Sequence, residues 1–212
     1  MEQHTGLPTW LNNDANLMAL GETMFGAAKG AQDVVFLTVG TGIGGGVLID
    51  GRLWGGHRNR GTEFGHISIR YDGEECNCGN IGCLEHYAST SALVRRFQAR
   101  CAEANRPCSR CDGEQIVALY HQGDPLAVEA MQEHWDFLAQ GVISIIHIFA
   151  PERVVIGGGI SEAGDFYLEA LRRRVFARAI PVCAESTEVV GALLGNKAGA
   201  LGAAGLVFSH RQ

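Results

Sequence analysis

Three cysteines and a histidine crowded into one short segment constrain this chain more than any other feature. His66, Cys76, Cys78 and Cys83 follow the pattern His-x9-Cys-x-Cys-x4-Cys. The segment is polar and has no apolar periodicity, so its cysteines make poor core residues. Four soft or borderline donors from one stretch of chain suit tetrahedral Zn²⁺. Gly79 and Gly82 lie between Cys78 and Cys83, where a chain folding round a metal needs sharp turns. The alternative is a set of reduced core cysteines beside an unrelated histidine. If metal is held, all four positions are filled by protein and none is left for water, which predicts a structural site.

The rest of the composition sets the frame. At 212 residues the chain is long enough for one ordinary domain or slightly more. Its net charge of -6 argues against a surface built to coat nucleic acid. The longest apolar run, residues 137–150, contains Gln140, Ser144 and His147. It is also shorter than the roughly 20 residues that a bilayer requires. The opening MEQHTGLPTW has neither the basic nor the apolar region of a signal peptide. A cytoplasmic protein with no membrane partner is therefore expected, and disulfides are not. Cys108 and Cys111 form a CxxC pair without a fourth ligand at comparable spacing, so a free thiol pair is expected there. Cys101 sits on a predicted helix, and Cys183 reads as a plain apolar residue.

Patterning predicts a short strand at 7–11, a helix at 15–28, strands at 34–39 and 46–49, and a third strand within 64–69. Asp50-Gly51 is a strong hairpin signal. Helices follow at 89–104, 113–121 and 125–149, the last opened by Asp124-Pro125. A strand at 153–156, a helix at 164–177, a strand at 188–190 and a helix at 197–208 complete the chain. Long helices returning to short apolar strands imply an α/β fold whose mixed sheet has a parallel half. Three strands and then alternating helices and strands is the element order of the ribonuclease-H-like unit of the hexokinase–actin superfamily.

Glycine makes up 29 of 212 residues, about twice the usual share of ~7%, and the glycines cluster. Residues 40–46, Gly-Thr-Gly-Ile-Gly-Gly-Gly, join two apolar strands. Such a turn can present successive N–H groups to a phosphate, with Thr41 adding a hydroxyl, or can serve only as a tight hairpin. Gly157-Gly158-Gly159 ends a strand and precedes a helix, a position that fits either a ligand or a closely packed crossover. Asp14 follows Asn12-Asn13 at a helix start, where it can act as an N-cap. Glu63 and Glu85 flank the Cys-rich segment. Folding round a metal would bring both near His66, where ionised carboxylates could accept hydrogen bonds from polyol hydroxyls.

Together these motifs resemble the ROK family of sugar kinases and sugar-responsive repressors. Asn13-Asp14-Ala15-Asn16, the 40–46 turn, Glu63-x-Gly65-His66, Cys76-x-Cys78-Gly79-x-x-Gly82-Cys83-x-Glu85 and the 157–159 turn fall in the family's order, over nearly the whole chain. The resemblance implies ATP-dependent phosphorylation of a hexose or N-acyl-hexosamine, usually at O6, with Mg²⁺ on the nucleotide. It implies Asp14 as catalytic base, Asn13, Glu63, His66 and Glu85 as sugar ligands, and Thr41 and Gly42 at the ATP phosphates. It also implies Gly158 and Gly159 near the adenosine, and structural zinc on His66, Cys76, Cys78 and Cys83. A homo-oligomer, dimer or tetramer, is the family expectation, and nucleic acid is not an expected partner of a kinase. The alternative is the sugar-binding effector domain of a repressor. Family kinases carry an N-terminal lobe with an Asp-x-Gly-Gly-Thr phosphate loop ahead of the Asn-Asp-Ala-Asn motif, and none precedes Leu7 here. Residues 1–30 are thus expected to be the end of that lobe. Residues 31–212 are expected to form the C-terminal ribonuclease-H-like domain, with the zinc loop at 66–85. Thr62 stands where a small Ala or Gly is expected.

Overall fold

The computed structural model describes residues 2–108 and 111–209. Its elements run α1 (Glu2–Thr5), α2 (Asp14–Phe25), β1 (Val34–Val39), β2 (Ile43–Ile49), β3 (Arg52–Trp54), α3 (Leu84–Ala88), α4 (Thr90–Glu103), α5 (Gly113–His121), α6 (Pro125–Phe149), β4 (Arg153–Gly157), α7 (Asp165–Phe176), α8 (Pro181–Ala184), β5 (Glu188–Gly191) and α9 (Ala198–Ser209). Short 3-10 turns cover His57–Asn59, Phe64–His66, Gly159–Ala163 and Gly195–Lys197.

The five strands form one sheet in the order β3-β2-β1-β4-β5. β1 pairs antiparallel with β2 and parallel with β4, and β4 pairs parallel with β5. This is the mixed sheet with a parallel half that the element order predicts. β1 is apolar at nearly every position because both of its faces are covered. Val35, Leu37 and Val39 face a large core shared with α3 to α7, whereas Val34 and Phe36 face a smaller one shared with α2 and α9. No helix among the described residues is long and apolar enough to cross a membrane.

Local chemistry sets most boundaries. Asp50 and Gly51 both take positive φ, 51° and 69°, as a two-residue hairpin between β2 and β3 demands. Asp124 accepts from the Ala127 N–H at 3.0 Å, and Pro125 opens α6 at a position where its missing N–H costs nothing. α2 lies against α9 with almost no side chain between them. A Cβ on Gly202 would collide with the Leu17 carbonyl, and one on Gly21 with that of Ala198. The far end of α2 is tied down by the fully buried Glu22. Its carboxylate accepts from the N–H groups of Ala27 (2.8 Å), Leu193 (3.1 Å) and Leu194 (2.8 Å).

Three expectations are corrected. Residues 7–11 form no strand: they join no ladder among the described residues, and a short apolar stretch without a pairing partner is not a strand. The third strand is Arg52–Trp54, because the Asp-Gly hairpin returns the chain at once; 64–69 instead holds a 3-10 turn and a single bridge from Ser68 to Cys83. The glycine turn is also shorter than expected, since β2 already begins at Ile43.

Candidate functional site

The Cys-rich segment folds as a knuckle. The Cys76 N–H donates to the Asn80 carbonyl at 2.8 Å and the Gly79 N–H to the Cys76 carbonyl at 2.9 Å. Gly79 and Gly82 sit at φ 89° and 70°, in the left-handed region that favours glycine. The ligand atoms of His66, Cys76, Cys78 and Cys83 all lie within 4.8 Å of one another. Cys78 Sγ is 3.6 Å from Cys83 Sγ, and Cys76 Sγ is 3.7 Å from His66 Nδ1. Tetrahedral Zn–S bonds of ~2.3 Å put sulfurs roughly 3.8 Å apart, so the donor set has the right type and spacing. Burial, and then the neighbouring Cys76 and Cys78, push the Cys83 thiol up to about 12, whereas a backbone N–H at Asn80 lowers Cys78.

The knuckle is wired into the two helices C-terminal to it. Cys83 precedes α3, which carries Glu85, and Ser89 ends α3 and caps α4 by accepting from the Ala92 N–H at 3.1 Å. Glu85 reaches the glycine turn, where its carboxylate accepts from the Ile43 N–H at 2.8 Å. A Cβ on Gly42 would strike that carboxylate. The same turn is braced from the Glu63–His66 side, where a Cβ on Gly65 would collide with the Ile43 carbonyl. Glu63 itself is exposed, and the His66 N–H donates to its carbonyl at 3.0 Å.

The start of α2 meets the same strand. A Cβ on Gly44 would lie 3.1 Å from the Ala15 Cβ, and one on Gly46 would lie 3.0 Å from the Ala15 carbonyl. The N-cap is Asn13, not Asp14. Asn13 Oδ1 accepts from the N–H groups of Ala15 (2.9 Å) and Asn16 (3.3 Å), which leaves the Asn13 amide N–H₂ available. Asp14, at the first helical position, is exposed, and its carboxylate accepts from the adjacent Ala15 N–H at 2.8 Å. Asn13-Asp14, Glu85 and the Glu63–His66 turn are therefore brought together round the beginning of β2. Thr62, beside Glu63, is held at φ 66°, which is strained for a β-branched residue.

On the other side of the turn lies a cavity of about 860 Å³. Gly40, Thr41, Gly159 and Ile160 line it, so both glycine turns reach one space. Gly158 stands behind the wall at φ 96°, where a Cβ would collide with the Val39 carbonyl. The first residues of α4 (Thr90, Ser91) and of α5 (Gly113, Glu114) also border the cavity. The positive ends of two helices favour an anion. Thr90 binds the turn directly, with its N–H donating to the Gly40 carbonyl at 2.8 Å, and its buried Oγ1 has no hydrogen-bond partner among the described residues. The sequence places helices at 89–104 and 113–121 but carries no signal that their first residues share a cavity. Asn13, Asp14, Glu63, His66 and Glu85 do not line the cavity.

The model of the family described as ROK matches residues 1–210. The chain belongs to the ROK family. Among ROK relatives, a glucokinase of Thermotoga maritima is 40% identical, the match covering 98% of this chain and 68% of that protein. A xylose repressor of Bacillus spizizenii is 32% identical over 99% of this chain and 53% of the repressor. Among solved structures, the ROK glucokinase from Streptomyces griseus in complex with glucose and AMPPNP superposes with a TM-score of 0.86 at 37% identity, covering 97% of this chain and 70% of that one. Relatives named glucokinase support a ROK sugar kinase, and the chain spans about 70% of the S. griseus enzyme's length. One expectation at the cavity edge is overturned. Cys108 and Cys111 are joined as a disulfide, their Cα atoms 6.5 Å apart and within the reach of such a bond.

Proposed function

We propose that this ROK chain serves ATP-dependent phosphorylation of a hexose or N-acyl-hexosamine at its O6 hydroxyl. The observation that carries the reading is the two-sided turn at 40–43. One side opens on the cavity between two helix starts. The other is held by Glu85 through the Ile43 N–H. Asp14 accepts the proton of the sugar hydroxyl as that oxygen attacks the terminal phosphorus and the nucleoside diphosphate leaves. Asn13, Glu63, His66 and Glu85 hold the sugar. Thr41 and Gly42 meet the nucleotide's phosphates, which bring Mg²⁺ with them, and Gly158 and Gly159 lie near the adenosine. Phosphoryl transfer depends mainly on positioning and charge neutralisation, the two things a braced turn and helix starts provide. In this reading residues 1–30 end an N-terminal lobe and residues 31–212 form the C-terminal domain.

A coupled assay with Mg-ATP and a panel of hexoses tests the reading. Turnover that Asp14→Asn lowers by about a hundredfold or more is the expected result, in line with loss of a general base. Turnover that survives this substitution rejects the assignment. The repressor relatives favour a second reading, sugar binding without chemistry. The intact 40–42 turn and the exposed Asp14 weigh against it, and sugar-dependent heat of binding with no ATP consumption would mark it.

Zn²⁺ on His66, Cys76, Cys78 and Cys83 belongs to the same proposal, as a structural ion that holds the Nδ1 side of His66. Its support is the mutual spacing of the four donors. Elemental analysis is expected to give about one zinc per chain, as a closed tetrahedral site requires. Chelation, or Cys83→Ser, is expected to lower the unfolding midpoint and loosen Glu85 together with the knuckle. Folded, metal-free protein with all cysteines reduced would remove the ion.

A further inference from the structure

We propose that Cys108 and Cys111 form a reversible thiol–disulfide modification site that sets how tightly the adjoining cavity holds a nucleotide. The inference rests on the reading of that cavity as the nucleotide site. Cys111 is part of the cavity wall, and Asp112, Gly113 and Glu114 continue it. The disulfide therefore involves a residue of the cavity wall that directly precedes the start of α5.

That helix start has little freedom. Asp112 accepts from the Gln115 N–H at 2.9 Å, and Gln115 accepts from the Asp112 N–H at 3.4 Å. A Cβ on Gly113 would lie 2.8 Å from the Thr90 methyl, so α5 begins hard against the beginning of α4. Upstream, the Arg106 N–H donates to the Cys101 carbonyl at 2.8 Å, and the Arg106 guanidinium pairs with Asp124. The chain is thus anchored before Cys108 and after Cys111, and the sulfur–sulfur bond adds a side-chain link between the two cysteines to the backbone that already joins them. Both cysteines are half-buried, which leaves them within reach of a small thiol. Cys76, Cys78, Cys83, Cys101 and Cys183 are in no disulfide and do not border the cavity.

The chemistry needs a dithiol as reductant. One of its thiolates attacks a sulfur of the pair and forms a mixed disulfide, and the departing cysteine sulfur takes up a proton. The second thiolate of the reagent then displaces the other cysteine, which is protonated in turn. Two electrons and two protons pass to the protein, and the reagent leaves as a cyclic disulfide. Freed from Cys108, the Cys111 side chain can leave the wall, and the adjoining Asp112–Glu114 stretch of that wall loses the side-chain restraint ahead of it.

The test measures Mg-AMPPNP binding by calorimetry, and amide exchange at residues 112–117, before and after dithiothreitol. Mass spectrometry with alkylation reports the state of the pair. Reduction is expected to weaken binding about fivefold, within the usual range of coupling between sites, and to speed exchange at 112–117. The double variant Cys108→Ser, Cys111→Ser is expected to bind as weakly as the reduced protein and to ignore dithiothreitol. Because that variant keeps the knuckle cysteines, any response that persists in it would assign the effect to them and overturn the proposal. Absence of nucleotide binding in both states, with exchange at 112–117 still following reduction, would reject the nucleotide reading while thiol control of the helix start stands. Equal affinity and equal exchange across a pair shown to have opened would overturn the proposal outright.

Discussion

Single residues carry two kinds of constraint here, chemical and steric, and Thr62 shows them at one position. It adjoins Glu63, and its hydroxyl donates to the Gly61 carbonyl at 2.6 Å, yet its backbone sits at φ 66°. A β-branched residue in that region costs on the order of 1–3 kcal/mol. Thr62→Gly is therefore expected to stabilise the chain by about 1 kcal/mol in urea unfolding, once the extra freedom of glycine in the unfolded state is subtracted. Thr62→Val keeps the branch and is expected to bring no gain. Equal midpoints for the Gly variant and the wild type would show that the loop relaxes round the threonine at no cost. The sequence flags Thr62 as out of place but cannot show that the backbone is what makes it so.

At the scale of elements, α2 and α9 pack through glycines. Gly202→Ala drives a methyl into the Leu17 carbonyl and is expected to cost about 3 kcal/mol, the upper end of overpacking penalties. Gly199→Ala on the same helix meets only the Met18 Cγ at 3.7 Å. It is expected to gain about 0.5–1 kcal/mol through helix propensity. Thermal unfolding of the two variants checks the contrast, and like-signed shifts would contradict the packing described. Most elements could be read from the sequence because their signals are local: Asp124-Pro125 starts α6, Asp50-Gly51 turns β2 into β3, and apolar runs mark β1 and β4. The misreadings fell where a partner elsewhere in the chain decides. Residues 7–11 are short and largely apolar but have no strand to pair with among the described residues. Segment 64–69 is apolar because Phe64 packs against Gly45, not because it extends a sheet. The site divides in the same way. The knuckle and the Glu63–His66 turn announce themselves through spacing, whereas the role of Thr90 and of the α5 start exists only once four separate segments enclose the cavity.

For the molecule as a whole, acid sensitivity follows from one buried pair. His134 on α6 is fully buried, its Nε2 lies 2.7 Å from the Tyr167 Oη, and its Nδ1 has no hydrogen-bond partner among the described residues. Burial, aided by the positive charge of Arg96, lowers its pKa from 6.5 to about 3. The unfolded chain therefore takes up this proton near pH 6.5 while the native state does not, so stability is complete above that pH and lost as pH falls toward 3. At pH 5 the loss from this group is about 2 kcal/mol relative to pH 7. Urea midpoints between pH 7 and 4 are expected to fall less steeply in His134→Gln, and parallel curves would refute the assignment. The glycine row of β2, together with Gly42 just ahead of it, has a different reach. Replacement at Gly42, Gly44, Gly45 or Gly46 meets Glu85, Ala15, Phe64 or Ala19, respectively. A saturation library scored only by growth would rank all four as indispensable, as it would the proposed base Asp14. Scoring cellular abundance beside turnover separates them, because a blocked strand removes protein from the cell whereas a lost base leaves it present and idle.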